Sequence, residues 1–286
     1  MKHKFTPAFL LAITVSISTA RAADCDRDCL RGTITQYLSA MVAHKPGSLA
    51  VSDKVRFTED AVTMKLGEGL WKNASGIGTY RQDILDVRQG VAASQVIVEE
   101  SGMPVMLVLR MKVVDKKISE VETQVTRSRT EGAIFNIANI KTANKGMNVV
   151  PERGQLNSRA DAIQIAELYP AGLKIGSFAE VNTPFATDAY RIENGTVTAG
   201  VGCGRAGCEN MKTQTIMKHP AVTSRVAAVD EEMGIVLLRM NFGDTGSYGA
   251  GNALIVWEAF KVYGGQIHAV EAFMRVMPAT TPSGWD

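Results

Sequence analysis

Two stretches decide the fold, because each occurs twice. Phe57-Thr58-Glu59-Asp60-Ala61 has a counterpart in Phe185-Ala186-Thr187-Asp188-Ala189. Later, Lys112-Val113 leads through a turn to Ile118-Ser119-Glu120-Val121-Glu122, and Lys261-Val262 leads to Ile267-His268-Ala269-Val270-Glu271. The first pair is offset by 128 residues and the second by 149, so the second half carries 21 extra residues between them. The loop holding Cys203 and Cys208 and the Gly-rich stretch 243–251 account for much of that insertion. Segments that recur in the same order predict two copies of one domain.

Around these anchors each half repeats one coarse pattern. A helix comes first: residues 28–43 in one half, and residues 159–169 extending towards Phe178 in the other, with Ser158 as N-cap and Pro170 and Gly172 interrupting it. A strand follows, at 61–66 and at 189–199, the latter broken at Asn194-Gly195. Long strands end each half. Residues 94–99 and 105–114 flank Glu100-Ser101-Gly102; 222–229 and 235–241 flank 230–234; and 254–262 and 266–276 flank Tyr263-Gly264-Gly265. These strands are almost continuously apolar, as in Val105-Met106-Leu107-Val108-Leu109, which implies burial on both faces. A helix can cover one face and the other copy's sheet the second. The polar segment 131–157 is expected to link the copies along the surface.

The N-terminus sets the compartment. Lys2 and Lys4 precede an apolar run from Phe9 to Ile17, and Ala20-Arg21-Ala22 forms a small-residue cleavage site. Residues 1–22 therefore read as a signal peptide of a periplasmic or secreted protein. Without them the chain has 28 basic and 29 acidic residues, so no nucleic-acid footprint remains. No later stretch is apolar for the ~20 residues that a membrane span needs. Cys25, Cys29, Cys203 and Cys208 are an even set in an exported chain. Local bridges Cys25–Cys29 and Cys203–Cys208 need the least chain closure. A four-thiolate metal site is the alternative, although these spacings are not the usual zinc spacing.

Helices followed by a strongly curved antiparallel sheet of long strands describe an α+β cone. In order, copy size and final hairpins the chain resembles the nuclear transport factor 2-like (cystatin-like, SnoaL-like) superfamily, whose members include ketosteroid isomerases, scytalone dehydratase and limonene epoxide hydrolase. More narrowly, Cys25-Asp26-Arg27-Asp28-Cys29-Leu30, Arg56-Phe57-Thr58-Glu59-Asp60, Leu66-Gly67-Glu68-Gly69-Leu70-Trp71, Ile118-x-Glu120-x-Glu122-Thr123 and Pro282-Ser283-Gly284-Trp285 resemble a little-characterised family of secreted fungal and bacterial proteins. The resemblance implies two tandem cone domains, residues 23–130 and 158–286, packed as a pseudo-dimer. It also implies cofactor-independent lyase, dehydratase or isomerase chemistry on a small apolar aromatic compound. One branch of the superfamily eliminates formaldehyde from lignin-derived aromatic dimers. A non-catalytic binder of a hydrophobic small molecule is the alternative, and pairing of two chains as a homodimer stays open.

No nucleophile elbow, Walker loop or zinc-protease motif is present, and Gly200-Val201-Gly202-Cys203-Gly204 opens no helix that could hold phosphate. The candidates are polar groups set in apolar strands, where a carboxylate must be paired, hydrogen-bonded or protonated. Glu122 and Glu271 occupy equivalent positions, Glu258 lies in an apolar run, and Arg110 and Arg239 are possible partners. For proton transfer, His268 and His219 are the expected bases of the second copy, with Tyr190 and Arg239 as oxyanion donors. Glu122, Asp86 and Tyr80 would serve in the first copy. Trp71, Trp257 and Tyr248 are the expected aromatic contacts to substrate. His268 and Glu271 have opposite strand parity and cannot share a face without a bulge.

Overall fold

The structure, a computed structural model, describes residues 25–140 and 146–285. The signal-peptide reading of residues 1–22 lies outside the described residues. Helix α1 (Arg27–Val42) starts at Asp26, whose carboxylate caps the amide of Cys29, and its Leu30, Ile34, Leu38 and Met41 form one buried stripe. Strands β1 (Val51–Glu59), β2 (Val62–Thr63), β3 (Ala74–Asp86), β4 (Val91–Glu100), β5 (Met103–Val114) and β6 (Lys117–Thr126) then form a sheet of order β2-β1-β6-β5-β4-β3.

After a short helix α2 (Arg129–Gly132) the pattern starts again. Helix α3 (Arg159–Ile175) is capped by Ser158, which accepts from the amide of Asp161. Strands β7 (Phe185–Glu193), β8 (Thr196–Ala199), β9 (Thr223–Asp230), β10 (Ile235–Asn241), β11 (Asn252–Tyr263) and β12 (Gln266–Pro278) form a second sheet of order β8-β7-β12-β11-β10-β9. The two strand orders are the same. Glu122 and Glu271 are each the sixth residue of the last strand in their sheet. The repeat in the sequence is therefore a repeat of topology.

Three expectations about these elements need correction. Neither sheet is purely antiparallel: β1 pairs parallel with β6 and β7 parallel with β12. The strand expected at 61–66 is reduced to Val62–Thr63, and the principal strands of this region are β1 and β3. Both alternate unevenly between exposed and buried positions, so their period-2 signal is weak. Helix α3 continues through Pro170 and Gly172 to Ile175. Gly172 is needed there, because a Cβ would run into the ring of Phe178, which packs against that turn.

The apolar strands are buried on both faces. In the first sheet Leu107, Leu109, Val121 and Val125 face α1, and in the second Val236, Leu238, Val256 and Phe260 face α3. The opposite faces meet: Ala93, Met106 and Val108 of the first sheet share one cluster with Leu237, Trp257, Ala259 and Phe273 of the second. The connecting segment does not run along the surface throughout, since Ile140 and Met147 are buried in that same cluster. The amine of fully buried Lys261 holds the segment by donating to the carbonyls of Met147 and Val149. Cys25–Cys29 and Cys203–Cys208 form the two expected bridges. Among the described residues no helix is long and apolar enough to cross a membrane.

Candidate functional site

Strand register builds the site. On β6, Glu122 lies opposite Arg110 of β5 and beside Thr58 of β1. On the second sheet, Arg225 of β9, Arg239 of β10 and Trp257 of β11 lie side by side in one cross-strand row. Adjacent positions across strands share a face, so both guanidiniums stand over the indole of Trp257, each 5.7 Å from its centroid. Where the two faces meet at this end, Arg225 crosses from the second sheet to Glu122 of the first, 2.9 Å away. Arg110 Nη1 donates to the same carboxylate at 2.9 Å.

The C-terminal segment closes this end. Asn241 Nδ2 donates to the carbonyl of Ala279, and the segment then passes Glu122. The amide of Trp285 donates to Glu122 Oε1 at 3.2 Å, its carbonyl accepts from Arg225, and its indole lies 4.2 Å beneath the guanidinium of Arg56. A cavity of about 140 Å³ remains between the sheets, lined among others by Thr58, Glu122, Gln124, Arg239, Trp257, Met277 and Trp285. Clefts of about 400 and 430 Å³ open beside the segment, the first lined by Arg110, Arg159 and Arg225, the second by Arg225, Arg239 and Asn241.

Glu122, Arg239 and Trp257 are thus brought together, and the other candidates are not. Tyr80 donates to Glu271 at 2.9 Å in the core between the sheets, where burial raises the phenol well above its usual pKa. Tyr190 accepts from the amide of Gly146, and burial raises its hydroxyl too. Asp86 is fixed by Arg159 at 2.6 Å and by the amide of Val229, an ion pair between copies. His219 is buried against Phe242, and burial lowers its pKa. His268 sits next to the β11–β12 turn, stacked on Tyr263 and hydrogen-bonded to its carbonyl, with a pKa lowered by partial burial. Trp71 fills the core under α1, its indole N–H donating to Tyr37. Tyr248 packs against the second sheet's core, and burial raises its hydroxyl.

Sequence reasoning missed two groups. Arg225 lacked a motif, but it and Arg239 sit across one hairpin from each other, and both interrupt an apolar strand face. The second group is Arg191 and Tyr169 under α3, which surround Glu258, the one member of this polar cluster already singled out by its apolar run. Arg191 donates to the hydroxyl of Tyr169, which is hydrogen-bonded to Glu258. Glu258 is fully buried, one of its oxygens has no hydrogen-bond partner among the described residues, and burial pushes its pKa up to about 8. Glu271 is likewise pushed up to about 8 by burial.

A family model described as a domain of unknown function, DUF8021, matches residues 155–274, which hold α3 and most of the second sheet. No curated protein matches the chain. Among solved structures, a de novo designed protein with a curved β-sheet is similar at 17% identity and a TM-score of 0.30, covering 35% of this chain and 88% of its own. A nuclear transport factor 2-like protein of unknown function from Burkholderia xenovorans is similar at 10% identity and a TM-score of 0.30, covering 35% and 85%. A Kribbella flavida protein provisionally described as a ketosteroid isomerase is similar at 12% identity and a TM-score of 0.28, covering 36% and 82%. Each likeness covers little more than a third of this chain.

Proposed function

We propose that the protein is an exported tandem of two nuclear transport factor 2-like domains, residues 23–130 and 158–286 joined by 131–157, that binds a small aromatic molecule between its sheets. The observation that carries this reading is the 140 Å³ cavity on the indole of Trp257. A cavity of about 150 Å³ in a protein core takes one benzene ring. Trp257 and Met277 offer apolar contact to such a ring, and Thr58 and Gln124 offer polar orientation. The two disulfides fit an exported protein. Binding is favoured over catalysis because Glu122, the carboxylate at the cavity, already accepts from Arg110, Arg225 and the Trp285 amide. Both oxygens of that carboxylate are taken up by these donors and are not left free to engage a ligand. The cavity also suits one ring rather than an aromatic dimer.

The second reading is cofactor-independent acid–base chemistry by a lyase, dehydratase or isomerase, including formaldehyde elimination from a lignin-derived dimer. Glu258 favours it, because burial holds this acid protonated near neutral pH beside Tyr169 and Arg191. Titration with benzyl alcohol by calorimetry tests the binding reading. Saturable binding that Trp257→Ala abolishes supports it, and no binding to the folded protein overturns it. Turnover of an aromatic dimer that is lost in Glu258→Gln supports the second reading instead.

A further inference from the structure

Two hydrogen-bond donors at the cavity have no acceptor among the described residues. The guanidinium of Arg239 has no hydrogen-bond or ion-pair partner among the described residues, although the residue is only 5% exposed. The buried indole N–H of Trp285 also has none. Both residues line the cavity. The acids that line it are already engaged: Asp60 by Arg275 at 3.1 Å, and Glu122 by Arg110 and Arg225. Arg239 is therefore the lining cation without a carboxylate of its own. Its stacking on Trp257 offsets little of the desolvation of a buried guanidinium, which ordinarily finds a carboxylate, phosphate or carbonyl partner.

We propose that the cavity's ligand is an aromatic carboxylate, its ring on Trp257 and its carboxylate between the Arg239 guanidinium and the Trp285 indole N–H. This rests on the ring-binding reading above and adds the charge. A planar carboxylate matches the paired donors of a guanidinium, and one ring bearing a carboxylate is the size that the cavity admits. The ring also completes a stack, since Arg225 and Arg239 both stand over the same indole. Charge and shape together distinguish such an acid from the neutral aromatic of equal size.

The test compares benzoate with benzyl alcohol by calorimetry on the whole mature chain, in wild type and in Arg239→Met, Arg239→Lys and Trp285→Phe. Near-ultraviolet circular dichroism checks that each variant folds. Benzoate is expected to bind about 10- to 100-fold more tightly than benzyl alcohol, the usual weight of a hydrogen bond to a charged group. Arg239→Met should remove that preference, bringing the two affinities to within about threefold of each other. Arg239→Lys should retain part of it, and Trp285→Phe should weaken benzoate alone. Benzyl alcohol binding as tightly as benzoate, or a preference that survives Arg239→Met, overturns the charge assignment while ring binding stands. If neither compound binds wild type, ring binding and the charge assignment fall together. Should Arg239→Met not fold, equal affinity of the two compounds in wild type still decides against the proposal.

Discussion

Stability should fall as the pH rises from 5 to 7, and two buried carboxyls set the slope. Glu258 and Glu271 are each pushed up to about 8 by burial, against an unfolded value near 4.5. Between those values each carboxyl holds its proton in the folded chain and loses it on unfolding. The folded state then binds more protons, so the unfolding free energy decreases with pH, by at most about 1.4 kcal/mol per unit and carboxyl. Two carboxyls over two units give a ceiling of about 5 kcal/mol, comparable with the whole stability of a marginal domain. Glu59, pushed up to about 7 by burial, adds to the slope. His219 and His268, both lowered by burial, act in the opposite direction near pH 6 and subtract from it. Above pH 8 the sign reverses for Lys261. Burial lowers it from 10.5 to about 8, so its contribution to stability rises with pH between those values. Urea denaturation at pH 5, 6 and 7 reads the slope directly, in wild type and in the Glu258→Gln/Glu271→Gln double variant. A wild-type stability that rises over this range, or a double variant that keeps the wild-type slope, refutes the reasoning.

Three further outcomes are expected. Replacing Cys25 and Cys29 by Ala opens a loop closed across four positions and should lower stability by about 2 kcal/mol in denaturant titration on the chain-entropy account. Gly284→Ala would place a Cβ against Glu122 Oε1, so the C-terminal segment should lift off and Trp285 fluorescence should shift to the red with little change in melting temperature. Asn194 is fully buried and bridges the carbonyls of Gly132, Ile134 and Met274 while accepting from the Met274 amide. Asn194→Ala should therefore lose about 3 kcal/mol in thermal or urea unfolding.

The long hairpins were legible because Val105–Leu109 and Val256–Phe260 are dense in β-formers and bounded by turn residues such as Ser101-Gly102 and Gly264-Gly265, which adopt positive φ. The duplication was legible because Glu122 and Glu271 keep the same distance from their turns. The parallel pairing of β1 with β6 was not, because it joins residues about 64 apart and no local signal encodes it. The site was half legible. An Arg or Glu in an apolar strand marks a buried polar centre, which singled out Glu122 and Arg239. Which centre borders a cavity depends on how the two sheets meet and where the C-terminal segment lies. The histidines misled because rarity suggested chemistry, whereas His268 stacks on its own turn and His219 packs on Phe242.

The chain's three tryptophans give three indole N–H resonances, which makes nuclear magnetic resonance the most direct test of ring binding between the sheets. Trp257 and Trp285 line the cavity, while Trp71 is buried under α1 with its N–H on Tyr37. Titrating ¹⁵N-labelled protein with benzyl alcohol should move the Trp257 and Trp285 signals together, to one saturating affinity, and leave Trp71 in place. Signals that all stay fixed, or a shift confined to Trp71, would contradict the account.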